Sequence, residues 1–254
     1  MNRNVIWIAI LATVLTACVI GQKSNYHEGK SDFASKFRSD QSLFVIVIDK
    51  RPYVLSGNKR NTFTGLLRSL YGIPYPTYTE SGNPLSVDLS GLLERSLQPS
   101  ADETSKSLAL DPNENIRKSI TENAQPKDKV LVFSFTEWKA DISGVGNGLF
   151  HYDIVLDVRD DDGNLLARTV QTGKEVFKVK KDPLANAIAR VINRLITQDD
   201  IVESVNNPDA VAKTDAETSI PSDQTVDDRS CTVEQILEME KIDISKEQIQ
   251  AACD

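Results

Sequence analysis

The stretch from Lys129 to Phe177 limits most strongly what this chain can fold into. In "VLVFSFTEW", alternation puts Leu131, Phe133 and Phe135 on one face and Val130, Val132 and Trp138 on the other. "LFHYDIVLDVRD" alternates Phe150, Tyr152, Ile154, Leu156 and Val158 against His151, Asp153, Asp157 and Arg159, the pattern of a half-exposed antiparallel strand. "LLARTVQTGKEVF" returns as a third strand. The turn "SGVGNG" joins the first two, and "DDGN" from Asp161 to Asn164 joins the last two. Three strands in a meander leave an apolar face that something else must cover.

The rest of the chain supplies that cover. "LFVIVID", Leu43 to Asp49, is apolar throughout, as in a strand covered on both faces, and Pro52 stops it. Asn83 and Pro84 read as N-cap and first residue of a helix whose Leu85, Leu89, Leu92, Leu93 and Leu97 form one stripe. "SLALD" is a short strand. Asp111-Pro112 opens a short helix to about Glu122, carrying Ile116 and Ile120. Asp182-Pro183 opens "PLANAIARVINRLIT", where Leu184, Ile188, Val191, Ile192 and Leu195 share a broad face. The expected fold class over residues 43–198 is α+β: a mixed β-sheet including a three-stranded antiparallel meander, with helices packed on one face.

Residues 199–229 are rich in Asp, Ser, Thr and Pro and short of aromatics, and read as a disordered acidic linker. Residues 230–254 read as a two-helix hairpin, with capping-box patterns at Thr232/Gln235 and Ser245/Gln248. Cys231 begins the first helix and Cys253 ends the second. An antiparallel pair of similar lengths brings these ends together, so a disulfide between them is expected in an oxidising compartment.

At the other terminus, Arg3 precedes an apolar run from Val5 to Leu15, too short for the roughly 20 residues of a spanning helix. Leu15-Thr16-Ala17-Cys18 resembles the lipobox of bacterial lipoproteins. The resemblance implies removal of residues 1–17, a diacylglycerol thioether on Cys18 and acylation of its new amino group. It also implies the periplasmic face of the outer membrane, because Val19, not Asp, follows the cysteine. The plainer readings are a secretory signal with an incidental cysteine, or an uncleaved anchor. Residues 18–42 are polar with no sustained period and read as a tether, although Tyr26, Phe33 and Phe37 leave room for part of it to dock.

The formal net charge is −8, and removing residues 1–17 takes away one cation and no anion. Such a surface repels nucleic-acid phosphates and anionic headgroups, so no nucleic-acid partner is expected. Basic residues gather locally in "VFKVKKD".

No catalytic constellation is visible. The two histidines, His27 and His151, have no neighbour at metal-ligand spacing, and no metal or cofactor is expected. "GVGNG" precedes no helix and reads as a turn; Asp160, Asp161 and Asp162 read as a hairpin turn and not a calcium loop. The segment from Pro52 to Asn83 hints at function. It reads as a long loop bearing Arg60, Arg68, Tyr71, Tyr75 and Tyr78, after Arg51, residue types enriched at contact hot spots. Arg68, Tyr71, Tyr75 and Tyr78 are the candidate partner-binding residues. Alternatively, the rings cover a sheet edge.

"VIVIDKRP" followed by a loop, a helix and strands ending in "DGNLLART" resembles YajG-type lipoproteins. The stretch from Phe135 to Ala167 is also similar to auxiliary lipoproteins of envelope ABC transporters and to the TolB N-terminal-like fold. The resemblance spans roughly Leu43 to Thr197 and implies a mixed sheet with helices on one face and no enzyme. The expected role is a lipid-anchored envelope accessory with a protein partner. The alternative is a carrier holding an apolar or lipid ligand between sheet and helices.

Overall fold

The computed structural model describes residues 23–24, 26, 37, 42–97, 106–181 and 183–207. The lipobox with Cys18, the pair Cys231 and Cys253, and the expected C-terminal hairpin lie outside these residues. The architecture is α+β, with the mixed sheet and the meander expected.

Strands β6 (Lys129–Ile142), β7 (Asn147–Arg159) and β8 (Leu165–Lys178) are long and antiparallel. They are the frame of the sheet. The free edge of β6 serves two partners in succession. Its first half pairs in parallel with β2 (Leu43–Asp49), which in turn pairs with β5 (Lys106–Leu110). Its last residues pair in parallel with β3 (Phe63–Arg68), through Gly65 opposite Ala140 and Leu67 opposite Ile142. Strand β4 (Pro74–Thr79) pairs with β3, and β1 (Lys23–Ser24) adds to β4 in parallel.

Helices α2 (Leu85–Leu97), α4 (Leu184–Ile196) and α5 (Asp199–Asn206) pack on one face over Val45, Val47, Leu131, Phe133, Phe135 and the inward residues of β7. The expectation that all helices share that face is corrected by α3 (Ile116–Asn123). It covers the opposite face, where Ile120 packs with Phe44, Ile46, Ile48, Leu110, Val130 and Val132. A strand apolar on both sides requires cover on both, and α3 supplies the second layer. It starts at Asn115, whose side chain accepts from the Lys118 amide, while Asp111-Pro112 lies in a preceding turn. Among the described residues no helix is long and apolar enough to cross a membrane.

Three boundaries also move. The acidic linker expected from residue 199 begins with α5, where Ile201 and Val205 are buried one turn apart. Each burial is worth roughly 1.5–3 kcal/mol, and Asp199 and Asp200 in the first turn suit the helix dipole. The expected tether contributes β1, and Tyr26 and Phe37 are in the core. The long loop after Pro52 is a helical turn, α1 (Pro52–Leu55), followed by the β3–β4 hairpin. Finally, a bulge between Phe135 and Glu137 transfers Trp138 to the face of Leu131, Phe133 and Phe135.

Candidate functional site: one end of the sheet

Three turns in the structure share one hydrogen-bond scheme. In the β3–β4 turn the Ser69 amide donates to the Ile73 carbonyl at 2.9 Å and the Gly72 amide to the Ser69 carbonyl at 3.0 Å, with Gly72 at φ +80°. In the β6–β7 turn the Ser143 amide donates to Asn147 at 2.7 Å and Gly146 to Ser143 at 2.9 Å, with Gly146 at φ +83°. In the β7–β8 turn Asp160 donates to Asn164 and Gly163 to Asp160, both at 3.0 Å, with Gly163 at φ +81°. These are three-residue hairpin loops that need glycine at their left-handed position. The first residue's side chain fixes each loop further: Ser69 Oγ accepts from the Tyr71 and Ile73 amides, and Asp160 Oδ1 from the Asn164 amide.

The side chains these turns present differ sharply. The Asp160 turn exposes Asp162, while the half-buried Asp161 accepts from the Lys127 amide at 2.8 Å. The other two hold Leu70, Tyr71 and Val145 outward at 78, 91 and 73 % exposure, and Ile73 is half exposed beside them. The two apolar turns are neighbours at one end of the sheet, since β3 and β6 run in parallel. Gly144 lies so close that a Cβ there would come within 2.7 Å of the Leu70 nitrogen. The Val179 amide donates to the Gly146 carbonyl at 3.0 Å, which brings the exposed Lys178, Lys180 and Lys181 to the same end. The acidic turn is at the other end of β7.

The four candidate binding residues do not form one patch. Tyr71 is at the tip. Arg68 grips Asp141, Nε to Oδ1 at 2.8 Å and Nη2 to Oδ2 at 2.7 Å, and this bonding holds the Asp141 carboxyl below its ordinary pKa. Tyr75 is exposed further down β4. Strand alternation puts Tyr78 on the opposite face, where it packs edge-on against Phe63. Leu70, Ile73 and Val145 escaped the sequence reading. Their signal was apolar side chains inside Ser/Gly turn patterns, "SLYGI" and "SGVGN".

Arg51 has a structural task. It is fully buried, and all five guanidinium donors are used: two on Asp49 at 2.8 and 2.7 Å, the rest on the Phe63, Trp138 and Asn61 carbonyls. Burial pulls its pKa down, and the Asp49 carboxylate more than offsets that. The ion pair closes β2 and ties its end to β3 and β6. Arg60 is exposed. His151 stands between Lys139 and Lys174, and partial burial together with these cations lowers its pKa. Among the described residues no group of three His, Cys, Asp or Glu side chains could hold a metal.

Between the sheet and helices α2 and α4 lies a void lined by Val47, Leu89, Leu92, Phe133, Trp138 and Ile192 among others. At about 10 Å³ it has room for about one water.

No family model matches the chain, and no curated protein matches its sequence significantly. Among solved structures, a Xanthomonas campestris protein of the DUF330 family model has 12 % identity and a TM-score of 0.35, covering 67 % of this chain and 85 % of its own. An uncharacterized protein has 11 % identity and a TM-score of 0.28, covering 73 and 96 %. The lipoprotein GNA1162 from Neisseria meningitidis has 10 % identity and a TM-score of 0.26, covering 61 and 99 %. Likeness this loose transfers no role.

Proposed function

We propose that this protein is a lipid-anchored component of the bacterial cell envelope, held through Cys18 in the outer membrane with its domain in the periplasm. There it acts as a binding or assembly accessory and catalyses no reaction. The observation that carries the binding role is the apolar end of the sheet. Leu70, Tyr71, Ile73 and Val145 are held in solvent by turns that two backbone hydrogen bonds each close. A clustered apolar surface of this kind marks a contact site.

A carrier role for apolar ligands has less support, because an acyl chain would have to part α2 and α4 to enter a void of about 10 Å³. The anchoring part is tested by Cys18→Ser. The variant is expected to lose fatty-acid labelling and to accumulate as unlipidated precursor that keeps residues 1–17. A processed, membrane-held Cys18→Ser protein would sink the reading. Turnover of ester, phosphate or peptide substrates by the purified protein would sink its non-enzymatic part.

A further inference from the structure

We infer that the apolar end of the sheet docks on the bilayer that holds the lipid anchor, so that Leu70, Tyr71, Ile73 and Val145 enter the headgroup region and the domain stands end-on. This inference rests on the anchoring reading above and names what that end touches.

Direction is the first argument. Strand β1 runs parallel to β4, with Lys23 opposite Tyr78 and Ser24 opposite Thr79. The chain therefore enters β1 from the Pro74 side, which is the side of the Ser69–Ile73 turn. Cys18 is five Cα steps before Lys23, a reach of at most about 18 Å. The four steps from Tyr78 back to Pro74 cover about 13 Å. An anchor at Cys18 thus holds this end of the sheet, and not the other, against the membrane.

The side chains agree with that direction. Three turns share one backbone scheme, so the backbone does not dictate what each presents. Both turns at the anchor end present apolar residues, and the turn at the far end presents Asp162. An aromatic tip with aliphatic neighbours is the composition that partitions into a membrane interface.

Charge supplies the third argument. Lys178, Lys180 and Lys181 flank the tip, where they meet anionic headgroups. Screening over about 10 Å removes the repulsion from the acids at the far end, despite the net negative charge of the chain.

The test is photocrosslinking in intact cells, with the full chain carrying benzoylphenylalanine in place of Tyr71 or, as the matched control, in place of Asp162. Phospholipid adducts are expected from position 71 and none from 162. Adding Leu70→Asp and Ile73→Asp, both in an exposed turn, is expected to cut the lipid adducts at least fivefold while the protein stays membrane-held. Protein adducts in place of lipid at position 71 would overturn the docking inference and leave the anchored accessory standing. Equal lipid labelling at 71 and 162 would overturn it also. A soluble protein with unmodified Cys18 would remove the anchor, and the inference with it.

Discussion

The indole N–H of Trp138 donates to the hydroxyl of Tyr26 at 3.3 Å, deep in the core. Residue 26 thus belongs to the folded domain. Burial raises the Tyr26 pKa to about 12, so the hydroxyl stays protonated at neutral pH and accepts through an oxygen lone pair. Tyr26→Phe leaves the buried indole donor without this partner, and a loss of about 1–3 kcal/mol is expected in urea denaturation. Tyr26→Ala also opens a cavity and should cost about 3–5 kcal/mol.

Arg51 gives a second prediction. Its partner Asp49 is itself buried, and the pair is bidentate. Asp49→Asn leaves a buried cation without its counter-charge, so a loss of about 3–5 kcal/mol is expected. Replacing both residues with apolar ones of similar volume should cost less than Asp49→Asn alone. Equilibrium unfolding of the three proteins checks the order.

Acid sensitivity follows from Asp157. Burial raises its pKa, but hydrogen bonds from Arg168 and Arg159 outweigh burial, and the net shift is downward from 3.8. A lowered folded pKa means that the stabilisation is full above the unfolded value. It is lost as pH falls through 3.8 and on through the lower folded value. Glu175, held between Arg190 and Arg194, is shifted downward from 4.5, so its contribution starts to fall at a slightly higher pH. Asp157→Asn is expected to cost about 2 kcal/mol at pH 7 and to flatten the fall in Tm below pH 4. An unchanged slope would contradict this assignment.

Gly144 joins the two apolar turns. A side chain there collides with the Ser69–Leu70 backbone, so Gly144→Val should cost about 1–3 kcal/mol by overpacking. Calorimetry should show a Tm lowered by several degrees.

The meander, the both-sides-apolar β2 and the leucine stripe of α2 were legible because period and burial agree there. Alternation alone places Trp138 on the wrong face because one bulge residue shifts a period of two, and a bulge leaves no mark in an alternating pattern. The β3–β4 hairpin read as a loop because Pro74 and Pro76 are rare in strands. Both are exposed on β4, which among the described residues has only the two-residue β1 on its outer side. Helix α5 hid behind its acids: composition over 199–229 outweighed the Ile201/Val205 pair. Of the candidate site, Tyr71 was legible by residue type. Its neighbours Leu70, Ile73 and Val145 come together only through the pairing of β3 with β6, which no local pattern records.

Hydrogen exchange tests the end-on orientation most directly. The lipidated full chain on phosphatidylethanolamine/phosphatidylglycerol vesicles is compared with Cys18→Ser protein in solution. The account predicts slower exchange confined to residues 70–73, 143–146 and 178–181, with 160–164 unchanged. Protection at 160–164, or none at the three segments of a membrane-held protein, would contradict it.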